Sequence, residues 1–333
     1  MLGFKNKFTI QLVAAFASIY VIWGSTFLAI SIALQGFPPF LLSGFRFIIA
    51  GLILFIWQRG REQVSNSWIN WKKNAITGTL ILTGGTGLVA WGEQYVSSTE
   101  AAIAIATGPF WFIALDKKNW KNYFSNFPVA SGLVIGFTGL ILFLGGSVSS
   151  SGHGSSFVLR ITAFSVLALS SISWVVGSLY SKKKPANQPF LINSAQQLLA
   201  AGTASILIAL FKGEWASFSI ASVPPASWFG LLFLIFFGSI VAYLSYIWLL
   251  KVKDPVLVST HTYINPIVAV LVGWAVASEQ IEPNQLIGLF VILLGVLLTN
   301  MSQYKLSRRT RVKIRRLKAV LQRISNPYKY ITH

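Results

Sequence analysis

The sequence predicts an all-α integral membrane protein, with ten transmembrane helices arranged as two inverted five-helix repeats. Three observations carry that prediction. Of the 333 residues, 54% are hydrophobic and only 11% are charged, where a soluble domain carries roughly 25% charge. Apolar runs recur from end to end, each near the ~20 residues that cross a ~30 Å hydrocarbon core as a helix. Similar stretches return in the same order after about 150 residues, as from Arg46 to Gln196.

The first repeat spans 8–146 and the second 157–302, followed by a basic tail over 303–333. Span 1, over 8–34, is longer than the apolar core of a secretory signal and lacks a small-x-small cleavage site, so it reads as a retained helix. Span 2, over 39–57, carries Arg46, and span 3, over 75–92, leads into Glu93. Span 4, over 99–115, contains Pro109, and span 5, over 127–146, crowds Gly132, Gly136 and Gly139 onto one side. In the second repeat, spans 6, 7 and 8 occupy 157–180, 189–211 and 226–250. Span 9, over 255–277, contains Pro266, and span 10, over 284–302, places Gly288 and Gly295 two turns apart. Small residues so spaced allow close helix contact, so spans 5 and 10 join either the two repeats or two copies of the chain in a homodimer. The runs are continuous, unlike the strict alternation of outer-membrane barrel strands.

A net charge of +19 would suggest nucleic acid in a soluble protein, but its distribution points elsewhere. With the N-terminus inside, the short inner segments hold fourteen Lys and Arg residues, among them Lys72, Lys73 and Lys182 to Lys184. The outer loops hold Lys212, with Arg160 near a span edge. That bias places both termini in the cytoplasm. Ten more basic residues and no acid fall in the tail, where Ile314, Leu317, Val320, Leu321 and Ile324 recur at helical spacing. Such a segment either lies on the anionic inner leaflet of the bilayer as an amphipathic helix or is a solvated tail that fixes topology. It shows no nucleic-acid module.

The repeat is legible residue by residue. SIYVIWGS at 18–25 answers SISWVVGS at 171–178, and FLLSGFRFIIAG at 40–51 answers FLINSAQQLLAA at 190–201. Pro109, Gly132 and Gly139 answer Pro266, Gly288 and Gly295. Five spans is an odd number, so the second repeat must enter the membrane inverted. Loop charge agrees: GEQYVSSTE after span 3 has no Lys or Arg, while its counterpart LLKVKDP after span 8 is basic. Likewise DKKNWKN after span 4 is basic and SEQIEPN after span 9 is not. Inverted repeats are a transporter architecture, with the solute held near the midplane between the halves.

The segments IWGSTFLAI, PPFLLSGFRFIIAG, SSISWVVGSLYS, FGSIVAYLSYIWLL and STHTYINPIVAVLVGWAVASEQIEPNQLIGLFVILLGVLL resemble the two EamA repeats of the drug/metabolite transporter superfamily. The resemblance covers residues 10–300 and leaves out only the tail. It implies ten helices, cytoplasmic termini in a bacterial inner membrane, a central cavity, and export or exchange of small metabolites. The family's Gly-Glu pair closing span 9 stands here as Ser278-Glu279, with Asn122 at the matching place in the first repeat. His261 stands where the family has an aromatic residue.

Candidate site residues follow from what is expensive in lipid. Pro266 lacks an amide hydrogen, frees the carbonyl near Thr262 and kinks or unwinds its helix, and Pro109 does the same in span 4. His261 and Asn265, four apart, share a helix face and either line a cavity or bond neighbouring helices. Arg46 in mid-span costs roughly 2.5 to 3.5 kcal/mol on insertion scales and so needs a partner, Glu93 first and Glu100 second. It either binds an anionic substrate or ties helices together. Gln196 takes its place in the second repeat, and Glu93 or His261 is placed to carry a coupling proton. Trp23, Trp91, Trp174, Tyr243 and Tyr263 lie within spans and are the expected aromatic wall of a small-molecule cavity.

With no cysteine, thiolate catalysis, disulfides and Cys-ligated metal are excluded. Paired carboxylates, HExxH, P-loop and GxSxG motifs are absent, so neither a cofactor, a metal nor direct ATP hydrolysis is expected. The expected function is a secondary transporter working by alternating access. The alternatives are a channel, a membrane enzyme acting on lipid, or a regulatory membrane scaffold.

Overall fold

The structure, a computed structural model, describes residues 2–59, 67–115, 117, 120, 127–149, 156–253, 258, 259, 261–277 and 283–301. The tail over 303–333, Asn122, Ser278 and Glu279 lie outside the described residues. Among the described residues seven helices are long and apolar enough to cross a membrane: α1 (Phe8–Ala33), α2 (Pro39–Gln58), α3 (Trp68–Gly92), α4 (Ser98–Leu115), α6 (Phe157–Lys183), α7 (Phe190–Phe211) and α8 (Pro225–Val252). Three more, α5 (Phe127–Ser149), α9 (His261–Ala277) and α10 (Pro283–Met301), carry shorter apolar segments. No strand occurs among the described residues.

The distribution of polarity is that of a lipid-facing protein. Phe211, Phe229, Ile141 and Phe290 are exposed, while Arg46, Glu93, Glu100, Arg160 and Gln196 are buried. Hydrocarbon rewards the first group and forces the second into the bundle interior.

Three element boundaries differ from the sequence expectation. Helix α3 starts at Trp68, not at 75, so Lys72 and Lys73 lie inside it. A long lysine stem lets the ammonium reach beyond the apolar layer, and Lys73 Nζ donates to the Pro185 carbonyl at 3.3 Å. Helix α4 is two helices, Ser98–Ile105 and Gly108–Leu115. Pro109 therefore sits in the first turn of a new helix, where a missing amide hydrogen costs no bond. Helix α9, described over His261–Ala277, runs on through Pro266 and is not unwound there. In its first turn the Thr262 amide bonds back to the Ser259 carbonyl at 3.0 Å.

Three helices are locally π-helical: α1 over Ser18–Ile22, α3 over Thr79–Gly87 and α8 over Leu234–Ala242. The last two are nine residues each and fall at corresponding places of the two halves. Wide turns of this kind recur at functional sites because they expose backbone that an α-helix would close.

Helices pair across the halves, α2 with α7 and α5 with α10 over long contacts, α3 with α6, α1 with α8, α4 with α6, and α1 with α9. Every one of these pairs is either its own counterpart or the counterpart of another. Between α5 and α10 the backbones touch. A Cβ added to Gly288 would lie 2.6 Å from the Phe143 amide nitrogen, and one on Gly139 would lie 2.5 Å from that of Ile292. A Cβ on Gly295 would meet the Gly136 backbone. These glycines are consumed within one chain, which takes the α5–α10 seam away from the homodimer considered above. Gly202 does the same on α7, where a Cβ would stand 2.8 Å from the Ile48 amide nitrogen on α2.

Replacing Gly288 by Val should force α5 and α10 apart and cost about 1 to 3 kcal/mol or more, since the neighbour is backbone and cannot turn aside. Gly87→Ala, whose nearest contact would be 3.7 Å, should leave the melting temperature near wild type. Thermal unfolding of both variants in detergent checks the contrast; equal melting temperatures would show that the seam is not closely packed.

Candidate functional site

A cavity of about 90 Å³, measured at the centres of water-sized molecules, opens between α1, α2, α3, α4, α6, α8 and α9. A single water needs about 10 to 15 Å³ on that measure, so the space admits several waters or one small organic molecule. The π segments supply part of its wall, through Gly85 and Thr86 on α3 and Gly238 and Ser239 on α8. The helix starts at Gly108 and His261 supply another.

Six of the residues expected from sequence line this cavity: Trp23, Arg46, Trp174, Tyr243, His261 and Asn265. Arg46 is 3% exposed. Its Nε donates to Ser239 Oγ at 3.2 Å, its Cζ lies 4.7 Å from the Phe47 ring centroid, and among the described residues its terminal Nη groups make no hydrogen bond. The Glu93 carboxylate acts on the guanidinium through its charge. Glu93 closes α3 and does not itself line the cavity.

A cluster of rings forms another part of the wall. Trp23 lies 5.2 Å from Trp174, edge to face, 5.1 Å from Tyr246 and 5.1 Å from His261. Trp174 and Tyr246 are 5.2 Å apart, and Tyr246 and His261 5.6 Å. Such spacings are those at which aromatic quadrupoles attract. Except for His261 Nε2, the polar atoms of these rings are bonded to the protein. Trp23 Nε1 donates to the Gly238 carbonyl at 3.3 Å, and Trp174 Nε1 to Tyr246 Oη at 3.0 Å. His261 Nδ1 donates to the Val258 carbonyl at 2.9 Å, which fixes the tautomer as long as the ring is neutral.

Asn265 serves the helix junction as well as the cavity. With its amide nitrogen turned toward the acceptors, it donates to the carbonyls of His261 at 2.9 Å and of Tyr20 and Ile19 at 3.1 Å. Two of those carbonyls belong to the π segment of α1. Of the two roles considered for Asn265, bonding of neighbouring helices is therefore filled.

Three expected residues fall elsewhere, and a fourth is not described. Gln196 is buried in an amide cluster at the lysine-bearing end of the bundle, where Asn74 Nδ2 donates to Gln196 Oε1 at 2.7 Å and to Asn193 Oδ1 at 2.8 Å. Gln197 Nε2 donates to Asn74 Oδ1 at 3.1 Å, and Gln197 Oε1 accepts from Tyr243 Oη at 2.7 Å, so the cluster reaches the cavity wall. Trp91 packs on Tyr95, ring centroids 5.0 Å apart, with Lys212 Nζ 5.7 Å away, at the opposite end. Glu93 sits at the end of α3 and acts on Arg46 through its charge. Tyr263 belongs to α9, but its side chain lies outside the described residues.

Toward the opposite end the helices are joined by charge. Arg160 Nη2 lies 2.6 Å from Glu100 Oε1, both side chains buried, while Glu100 Oε2 accepts from the Ser97 amide at 2.9 Å in a capping box that starts α4. Glu100, the second partner considered for Arg46, is thus paired with Arg160. Glu214 accepts from the Phe40 and Leu41 amides at 3.0 and 2.9 Å and caps α2. Burial pushes its carboxyl above the usual range, and those two amides and Lys212 pull it back.

Sequence reasoning missed Tyr246, Asn74, Asn193 and Gln197. The signal was present as spacing: Asn193, Gln196 and Gln197 share one face of α7, Asn70 and Asn74 are four apart on α3, and Tyr246 follows Tyr243 by three.

A bundle of apolar helices around a mixed aromatic and cationic cavity is the form of a membrane transporter, and comparison with known proteins agrees. The EamA-like transporter family matches residues 10–145 and 161–301, and the chain belongs to that family. It is 30% identical over 311 residues to the "Uncharacterized inner membrane transporter YedA" of Escherichia coli (strain K12), covering 89% of this chain and 92% of that one. It is 25% identical over 309 residues to the "Uncharacterized transporter YoaV" of Bacillus subtilis (strain 168), covering 90% and 99%. A solved structure described as "Crystal structure of protein" shares the fold with TM-score 0.61 at 18% identity, over 88% of this chain and 98% of that one.

Glu100→Gln should strand the buried Arg160 charge and destabilise the protein by about 3 to 5 kcal/mol. Adding Arg160→Met should restore most of the loss. Denaturant unfolding of the single and double variants checks this; a double variant no better than the single would mean that the pair is not what Arg160 relies on.

Proposed function

We propose that the chain is a secondary transporter of small organic metabolites, an exporter or exchanger, that works by alternating access around the cavity. The observation that carries this reading is the cavity itself, bounded by helices of both halves, with bonds of different kinds joining the helices toward its two ends. Ten spans in two inverted repeats are supported by the counterpart pairing of helices, with α5, α9 and α10 crossing alongside the seven longer helices. The lysine-bearing end is then cytoplasmic, together with both termini, in a bacterial inner membrane like that named for the Escherichia coli relative. The basic tail binds the anionic leaflet there.

The two ends act as gates. At the cytoplasmic end the closing bonds join neutral amides, each worth only about 0.5 to 1.5 kcal/mol net and replaceable by water. The outer end is held by a buried ion pair, which costs more to separate without its partner. The halves rock between these two closures around the central site.

Counterflow in proteoliposomes tests the activity, because only a carrier exchanges labelled for unlabelled solute; its absence with every solute to which the protein confers resistance would overturn the reading. The lack of cysteine makes topology testable too. Ser217→Cys should react with an impermeant maleimide on intact cells, and Lys183→Cys only after permeabilisation. One reversed pattern would break the inverted-repeat arrangement.

A further inference from the structure

Arg46 is a buried cation whose terminal nitrogens are unspent. Its single hydrogen bond, Nε to Ser239 Oγ, fixes the plane of the guanidinium, and the Nη groups make none among the described residues, although the side chain is 3% exposed and lines the cavity. A buried donor without an acceptor is costly, and the geometry leaves the cavity as the place where an acceptor arrives. The guanidinium fork matches the two oxygens of a carboxylate or phosphate.

Charge selects between them. Among the described residues Arg46 is the one Lys or Arg that lines the cavity, and Glu93 already offsets part of its field. In so apolar a site a phosphate dianion would leave more charge uncompensated than a monoanion does. The rest of the ligand is read from the rings that line the same cavity. Trp23 and Trp174 line the cavity, and both indole N–H groups are bonded to protein, so what they offer a ligand is ring face and edge. Trp23 is tied to Gly238 and Arg46 to Ser239, adjacent residues of the α8 π segment whose Cα atoms stand about 3.8 Å apart. Indole and guanidinium are therefore held side by side, close enough for one small molecule to touch both.

We propose that the cavity takes an aromatic monocarboxylate, its carboxylate on the free Nη groups of Arg46 and its ring against Trp23 and Trp174. This assignment rests on the reading of the cavity as the transported solute's site and narrows it to one chemical class.

Equilibrium binding to the purified protein in detergent tests it without requiring transport. The probes are benzoate, phenylacetate and indole-3-acetate, with phenylacetamide, phenethylamine and phenyl phosphate as neutral, cationic and dianionic counterparts, and acetate as the ring-less control. At least one aromatic carboxylate should bind, and its amide, its amine and acetate should bind about 10- to 100-fold more weakly, the range expected for a hydrogen bond to a charged group. Arg46→Gln should lose that preference for the carboxylate, and Trp174→Ala the preference for a ring over acetate. Amides or amines that bind as well as the acids, a phosphate that binds better, or no binding by any aromatic acid would each overturn the proposal, on the wild-type protein alone and whatever the fate of the variants. Binding in this pattern without counterflow would instead sink the transporter reading and leave the ligand class standing.

Discussion

Everything in this protein depends on how helices adhere where the hydrophobic effect gives them nothing. Lipid tails are as apolar as leucine, so two helices gain by meeting only if their backbones come close enough for dispersion or if they share hydrogen bonds. The α5–α10 and α2–α7 contacts meet the first condition through Gly139, Gly288 and Gly202, whose missing side chains let one backbone rest on another. Asn74, Thr83, Ser170 and Asn265 meet the second, each bonding across to another helix.

The same constraint explains the cavity. Seven helices cannot converge with glycine contact along their whole length, and where the π segments of α3 and α8 widen the turn, space opens. Polar atoms at that space are of two kinds. Those of Trp23, Trp174 and Tyr243 are bonded to the protein and hold the wall in place. The Nη groups of Arg46 are not, and they are the cavity's chemical handle.

Arg46 and Gln196 occupy corresponding positions of the sequence repeat, yet one faces the cavity beside Ser239 and the other sits in an amide cluster with Asn74. An arginine at both positions would place two unscreened charges in one small bundle. Replacing one by glutamine keeps the hydrogen bonding and leaves a single charge, so the halves share a fold without sharing chemistry.

The amino-acid sequence by itself determined the helical class, the apolar spans and the two-repeat pattern, because hydropathy, charge bias and small-residue spacing act locally and are read one segment at a time. It also singled out Arg46, Trp23, Trp174 and His261, since a charge or an indole within a span is costly wherever the helix packs. Only tertiary structure decided which face each residue turned. Trp91 and Gln196 looked like the others in one dimension, but α3 turns Trp91 toward Lys212, and α7 turns Gln196 toward Asn74. Glu100 looked like a partner for Arg46 until α6 brought Arg160 to within 2.6 Å of it. Helix faces are set by contacts between segments far apart in the chain, and that information is in no single segment.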